Sequence, residues 1–242
     1  MQTLEQMTAQ KVEHAVSVAR PSLRAVTMPP KPAQAPAQPG ATRYASYFKR
    51  PFDIFMVLLG APLAVPLIGL MICAIWLSGG QPLYRQERLG RGGKLFTMWK
   101  LRTMVTDADA ALAAHLASHP AARAEWDANQ KLRDDPRITR IGRVLRKISF
   151  DELPQIWNVL RGDMSLIGPR PMMVCQKVLY LGEGYYTLRP GITGLWQVSR
   201  RNDVSFTERA NIDGIYARNV TFKGDLRILA QTLRVVFRGT GV

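Results

Sequence analysis

Residues 54–77 read IFMVLLGAPLAVPLIGLMICAIWL, a run with no charged and no strongly polar side chain. At ~1.5 Å per residue it would extend ~36 Å as a straight helix, against a bilayer hydrocarbon core of ~30 Å. That length favours membrane insertion over burial in a soluble core. Pro62 and Pro66 lie inside the run, Pro66 near its midpoint, and each removes a helical hydrogen bond and crowds the preceding turn. A bend is expected there. Arg43, Lys49 and Arg50 precede the run, and Arg85, Arg88, Arg91 and Lys94 follow it. Cytoplasmic loops favour positive charge, so both ends ask for the same side. A helix that dips in, breaks and returns meets both demands. The alternative is a proline-kinked transmembrane span.

Working outward, residues 1–42 carry Ala, Gln and Pro in quantity and end in PPKPAQAPAQPG, a composition expected to form a disordered or flexible tail. The 242 residues hold 33 Lys and Arg against 18 Asp and Glu, a formal net charge of +15. Such a surplus implies anionic company: nucleic acid, a negatively charged membrane face, or phosphorylated small molecules. Nucleic acid is the least suited, because the chain has neither a basic sheet interleaved with aromatics nor a zinc pattern. Cys73 and Cys175 give no disulfide framework, and the opening MQTLEQMTAQ lacks the layout of a cleaved secretion signal, so the soluble part is expected in the cytoplasm. His115 and His119 stand four apart without a third ligand at metal spacing and read as a solvated face.

Beyond the apolar run, PLYRQERLGRGGKLFTMWKLRTM places two β-like stretches around the turn LGRGGK, a hairpin signal. Its glycines miss the spacing of a phosphate-cradling loop. Residues 106–130 are Ala-rich and helical. In RITRIGRVLRKI, 137–148, Arg137, Arg140, Arg143, Arg146 and Lys147 alternate with Ile138, Ile141, Val144, Leu145 and Ile148, giving a basic amphipathic helix suited to anionic lipid or to the core. DLRILAQTLRVVFRG, 225–239, repeats the pattern with Arg227, Arg234 and Arg238. The expected fold is mainly α with a small β element, lying on the membrane through a Pro-broken re-entrant hairpin (43–78) and amphipathic interfacial helices. Residues 79–242 form the expected cytoplasmic body.

Two carboxylates, Asp151 and Glu152, stand side by side in SFDELPQIWNVLRGDMSLIGPRP, 149–171. Ser149 and Glu152 have capping-box spacing, and Pro154 suits a first turn, so helix capping alone explains the pair. Chemistry explains it too. A helix start lowers a carboxylate's pKa and keeps it available as nucleophile or metal ligand, and two adjacent carboxylates can hold Mg²⁺ while leaving room for phosphates. Arg146 and Lys147 come before the pair, and Arg170 sits between two prolines on stiff backbone, where a bidentate phosphate contact costs little ordering entropy.

Several motifs in fixed order carry a resemblance over about four fifths of the chain: KRPFDI at 49–54, the Pro-broken run, KLRTM at 100–104, DDPRITRIGRVLRKISFDELPQIWNVLRGDMSLIGPRP at 134–171, and RPGITGLWQVSRRND at 189–203. The chain resembles the bacterial sugar transferases that initiate polysaccharide and glycoconjugate assembly, the monotopic polyprenyl-phosphate phosphoglycosyl transferases. GLWQVS is most similar to the exopolysaccharide-initiating branch. The resemblance implies transfer of a hexose-1-phosphate from a UDP-sugar to undecaprenyl phosphate, with release of UMP, at the cytoplasmic face of the bacterial inner membrane. It implies Asp151 as nucleophile forming an aspartyl-phosphosugar, Asp151 and Glu152 as Mg²⁺ ligands, and Arg146, Arg170, Lys100 and Arg102 as phosphate-binding residues. Membrane lipids and a second copy of the chain are the further partners expected. Two other readings stay open: direct transfer with Asp151 as general base, and a non-catalytic basic membrane scaffold. The chain departs from the family pattern at Val65, where many members place Ser before the central Pro, and at Arg200-Arg201-Asn202, where Gly-Arg-Asn is common.

Overall fold

The computed structural model describes residues 42–129, 132–180, 182–199 and 206–237. The expected tail, Arg200 to Asn202, and Arg238 lie outside these residues. A π-helical turn, Tyr44–Phe48, leads into helix α1, Lys49–Leu77. Strands β1 (Leu83–Leu89) and β2 (Leu95–Leu101) follow, then helices α2 (Ala108–Ser118), α3 (Pro120–Asn129), α4 (Arg140–Lys147) and α5 (Gln155–Arg161). Strand β3 (Ser165–Ile167), helix α6 (Gly184–Thr187), strand β4 (Gly191–Thr193) and helices α7 (Leu195–Ser199), α8 (Phe206–Arg218) and α9 (Phe222–Phe237) complete the order. The fold is mostly helical with two small sheets, as composition and pattern suggested.

The apolar run forms α1, with Pro62 and Pro66 inside it. The stretch Tyr44–Leu77 is long and apolar enough to cross a membrane. Its two ends behave unlike its middle. At the first end Lys49, Asp53 and Val57 are buried, and at the other Ile75 is. Between them Leu58, Leu59, Leu63, Val65 and Leu70 are exposed. Val57 belongs to a buried cluster with Met98, Val159 and Met164, whereas Ile75 belongs to one with Leu101 and Leu145. Both clusters draw on β2. A polar root fixes the first end. Lys49 Nζ meets Asp225 Oδ2 at 2.7 Å, and that fully buried carboxylate also accepts from Tyr44 Oη at 2.9 Å and Tyr216 Oη at 2.7 Å. Asp53 accepts from Ser165 Oγ at 2.7 Å and from the Leu166 amide at 3.2 Å.

The hairpin expected from LGRGGK is present: β1 and β2 pair antiparallel with Leu83 opposite Leu101 and Leu89 opposite Leu95. Gly92 and Gly93 supply positive φ in the turn, at 67° and 75°, a conformation glycine enters without a Cβ penalty. The free edge of β2 is closed by a side chain. Asn158, on α5 and fully buried, accepts from the Trp99 amide at 3.2 Å and donates to the Thr97 carbonyl at 2.7 Å. Helix α5 stops at Gly162, whose φ of 93° is a left-handed helix terminus, and Arg50 donates to its last carbonyls, Val159 O at 2.6 Å and Leu160 O at 3.0 Å. Strands β3 and β4 run parallel, bringing the two Gly-Pro and Pro-Gly segments together. A Cβ on Gly191 would stand 2.1 Å from the Gly168 nitrogen, so the contact is open only to glycine.

Helices α2 and α3 occupy the Ala-rich stretch. The basic amphipathic helix starts later than expected, at Arg140. Thr139 caps it, its hydroxyl accepting from the Gly142 amide at 2.9 Å. Arg137 lies before this cap and is held by Asp135, Nη2 to Oδ2 at 2.7 Å.

Candidate active site

Residues 149–155 turn the chain from α4 into α5. Ser149 adopts a left-handed conformation with φ of 58°, residues Phe150–Glu152 form a 3-10 turn, and Pro154 stands at the start of α5. The expected capping box is absent. An N-cap residue is ordinarily extended, and Ser149 makes no side-chain cap bond. The Glu152 carboxylate goes elsewhere: Lys100 Nζ reaches its Oε1 at 2.8 Å and lies 4.0 Å from Asp151 Oδ2. A tertiary ion pair from β2 outcompetes the local cap.

These groups line one cavity of about 1380 Å³, which also takes in Arg102, Arg146, Arg170 and, from the bare middle of α1, Gly60. Asp151 is mostly buried. Burial pushes its carboxyl above the usual range, Lys100 and Arg146 pull it back, and Glu152 pushes it up. The lowering expected from a helix start is therefore reversed, because the dyad sits on a short 3-10 turn inside a cavity rather than on an exposed helix end. Arg170 Nη2 stands 3.6 Å from Glu152 Oε1, with its side chain 47 % exposed.

Arg146 is placed by packing. Helix α4 crosses the Thr103 backbone so closely that a Cβ on Gly142 would lie 2.1 Å from the Thr103 carbonyl oxygen. One turn on, Arg146 Nε donates to Thr103 Oγ1 at 2.9 Å. Burial lowers the Arg146 pKa, with Asp151 and Asp135 opposing that. Arg102 lines the same cavity, but its Nη2 donates to Gln81 at 3.2 Å. Thus Lys100, Asp151, Glu152 and Arg170 form one ion-pair cluster, Arg146 acts on Asp151 from beside it, and Arg102 stands apart.

Sequence reasoning missed other charged residues on the cavity wall: Arg88, Arg137, Arg209 and Asp213. The signal for Arg88 was available. On β1, Tyr84, Gln86 and Arg88 alternate onto one face, and all three line the cavity together with Lys100, which pairs opposite Tyr84. Arg209 and Asp213, one helical turn apart on α8, arrive by tertiary folding alone. Asp213 Oδ2 accepts from Tyr180 Oη at 2.8 Å, and burial pushes its carboxyl up to about 7.

For a metal, no group of three or more His, Cys, Asp or Glu gathers among the described residues. His115 on α2 and His119 just past its end stack on each other at 4.3 Å. The adjacent carboxylates of Asp151 and Glu152 fit a hard cation that keeps waters and shares its shell with substrate phosphates, which is how Mg²⁺ is commonly held.

The model of the family described as bacterial sugar transferase matches residues 44–239. The chain is 44% identical over 203 residues to a UDP-galactose-lipid carrier transferase of Erwinia amylovora, and 45% identical over 203 residues to an undecaprenyl-phosphate galactose phosphotransferase of Salmonella typhimurium. Each match covers 83% of this chain and 43% of the relative, so the chain spans less than half the length of these two proteins. It is also 41% identical over 210 residues to the exopolysaccharide production protein ExoY of Sinorhizobium fredii, covering 85% of this chain and 93% of that one. With a family match that runs from the root of α1 through α9 and takes in the whole cavity wall, the chain belongs to the bacterial sugar transferases.

Proposed function

We propose that the chain transfers a hexose-1-phosphate from a UDP-sugar to undecaprenyl phosphate, releasing UMP, through an aspartyl-phosphosugar intermediate on Asp151, and so initiates exopolysaccharide or related glycoconjugate synthesis. The observation that carries this reading is the Asp151–Glu152 pair, bonded by Lys100 in a basic cavity that reaches Gly60 of the apolar helix. A soluble diphosphate and a lipid-anchored phosphate can meet only at such a boundary. The names of the relatives support the same acceptor and a galactose donor. In the first half-reaction an Asp151 carboxylate oxygen bonds to the sugar-bearing phosphorus as the bond to the UMP oxygen breaks, its electron pair leaving with UMP. In the second, an oxygen of undecaprenyl phosphate bonds to that phosphorus and the electron pair returns to Asp151. Lys100 and Arg146 offset the charge at Asp151, and Arg170 offers a phosphate a half-exposed guanidinium. Mg²⁺ held by Asp151 and Glu152 would supply further positive charge against the diphosphate.

The same proposal makes α1 a re-entrant, monotopic anchor at the cytoplasmic face of the inner membrane. Met98 and Leu101, whose clusters take in Val57 and Ile75, lie about 10 Å apart along a strand. A straight helix would separate Val57 from Ile75 by about 27 Å. A bend over the exposed, proline-bearing middle reconciles the two. The decisive experiment supplies labelled UDP-sugar without lipid acceptor. Label retained on the denatured wild-type protein, absent from Asp151→Asn, supports the covalent route. UMP release without any attached label would instead favour direct transfer with Asp151 as general base, and unchanged turnover in Asp151→Asn would refute both.

A further inference from the structure

The segment that carries Arg170 is tied at its other end to α1. Asp53, near the start of that helix and fully buried, accepts from Ser165 Oγ at 2.7 Å and from the Leu166 amide at 3.2 Å, and both donors belong to β3. Resting on the phosphate role given to Arg170 above, we infer that Asp53 is a positioning residue for that guanidinium. The root of the apolar helix does more than hold the chain together: it sets the Pro-Arg-Pro segment, and with it the place from which Arg170 reaches the reacting phosphate.

Strand β3 has only three residues, Ser165–Ile167, and β4 holds one of its edges. On that edge the Ser165 amide donates to the Pro190 carbonyl at 2.9 Å and the Gly168 amide to the Thr193 carbonyl at 2.9 Å. The Leu166 amide is directed to α1 instead, where the Asp53 carboxylate takes the place that a further strand would have. An ionised acceptor makes a bond roughly twice as strong as a neutral one, and this one receives both the amide and the neighbouring hydroxyl. One turn earlier on α1, Arg50 grips the last carbonyls of α5, the end remote from the acidic pair. The link from the root toward Arg170 therefore rests on Asp53.

A shift of β3 would be harmless if a soft joint lay between Leu166 and Arg170, and each intervening residue is stiff. Gly168 is locked by contact, since a Cβ there would stand 2.3 Å from the Arg189 carbonyl oxygen. Pro169 is fully buried, has its φ fixed by its ring, and accepts from the Gly191 amide at 2.8 Å. Arg170 itself precedes Pro171, which confines its backbone to extended conformations, and the Pro171 carbonyl accepts from Arg88 Nη1 at 3.3 Å. The backbone from Asp53's two donors to Arg170 thus moves as one piece. Only the Arg170 side chain is loose, 47 % exposed with Nη2 3.6 Å from Glu152 Oε1, and it can make up part of a displacement but not all of it.

The test is a double-mutant cycle on kcat/KM for UMP release, over wild type, Asp53→Asn, Arg170→Gln and the double variant, each the full chain in nanodiscs with its thermal unfolding recorded. Asn keeps the size of Asp but only one acceptor oxygen, so one of the two bonds to β3 is lost. Asp53→Asn is expected to fold and to lose about tenfold in kcat/KM, less than the roughly hundredfold of a fully rigid 1 Å misplacement because the Arg170 side chain adjusts. In the Arg170→Gln background the same change should cost less than twofold, since the group it positions is gone. A merely structural role would instead give the same fold-loss in both backgrounds, and that result overturns the positioning while leaving the role of Arg170 intact. Wild-type activity in folded Asp53→Asn overturns it as well. Wild-type activity in Arg170→Gln would remove the phosphate role of Arg170 and the positioning with it. Should Asp53→Asn fail to fold, Ser165→Ala removes the 2.7 Å bond from the β3 side and is read through the same cycle by the same criteria.

Discussion

Replacing Gly142 with Ala puts one methyl group into the contact that sets Arg146. The added Cβ would stand 2.1 Å from the Thr103 oxygen and 2.7 Å from its carbonyl carbon, where a relaxed C···O approach is roughly 3.3 Å. Relief therefore needs a displacement of roughly 1 Å between α4 and the Thr103 backbone. Thr139 resists that shift, because its amide donates to the same Thr103 carbonyl at 3.0 Å. Overpacking of this kind costs about 1–3 kcal/mol, while the better helix propensity of Ala returns about 1 kcal/mol. The net stability loss is thus modest. The activity loss is not, since Arg146 moves away from Thr103 and from Asp151, and a misplacement of about 1 Å can cost about 10²-fold in rate. UMP release and thermal unfolding, measured on the same nanodisc preparation, separate the two. The variant is expected to unfold within a few degrees of wild type while turning over about a hundredfold more slowly. Activity within threefold of wild type would show that the crossing of α4 over Thr103 does not position the guanidinium.

Removing Lys49 strands a fully buried carboxylate, so Lys49→Met should lose about 3–5 kcal/mol in denaturant unfolding, and adding Asp225→Asn in that background should restore much of it; an additive double mutant would refute the coupling. Asp213 gives a pH signature. With its native pKa about 7 against an ordinary 3.8, the folded chain holds a proton that the unfolded chain has lost between these values. Its contribution is complete below about pH 4 and declines as pH rises through 7, by up to about 4 kcal/mol, and Asp213→Asn should flatten that part of the stability curve. Burial dominates the shift, so an unchanged curve would mean that water reaches the carboxylate.

The parts of this fold legible from sequence are those governed by neighbours along the chain. The β1–β2 turn was readable because Gly92 and Gly93 are needed where φ is positive. The helix at α9 and the apolar run were readable from composition. The acidic pair was visible, but its local explanation failed, because Glu152 is claimed by Lys100 from 52 positions away and spacing carries no record of such a partner. Arg137 sat in a perfect amphipathic pattern and yet belongs to Asp135, since the cap at Thr139 starts the helix after it. Arg209 and Asp213 were invisible for a similar reason: nothing on α8 announces that it reaches the cavity wall. Arg102, expected to bind phosphate, lines the cavity wall, but its guanidinium turns to Gln81.

Asn158 fills the place that a third strand would take beside β2. An unpaired strand edge is a template for pairing with other chains, and this hairpin has only two strands to shield each other. A single amide that both donates and accepts on that edge blocks intermolecular strand addition. Loss of Asn158 would then be felt first as aggregation during biogenesis, before any defect in turnover could be observed.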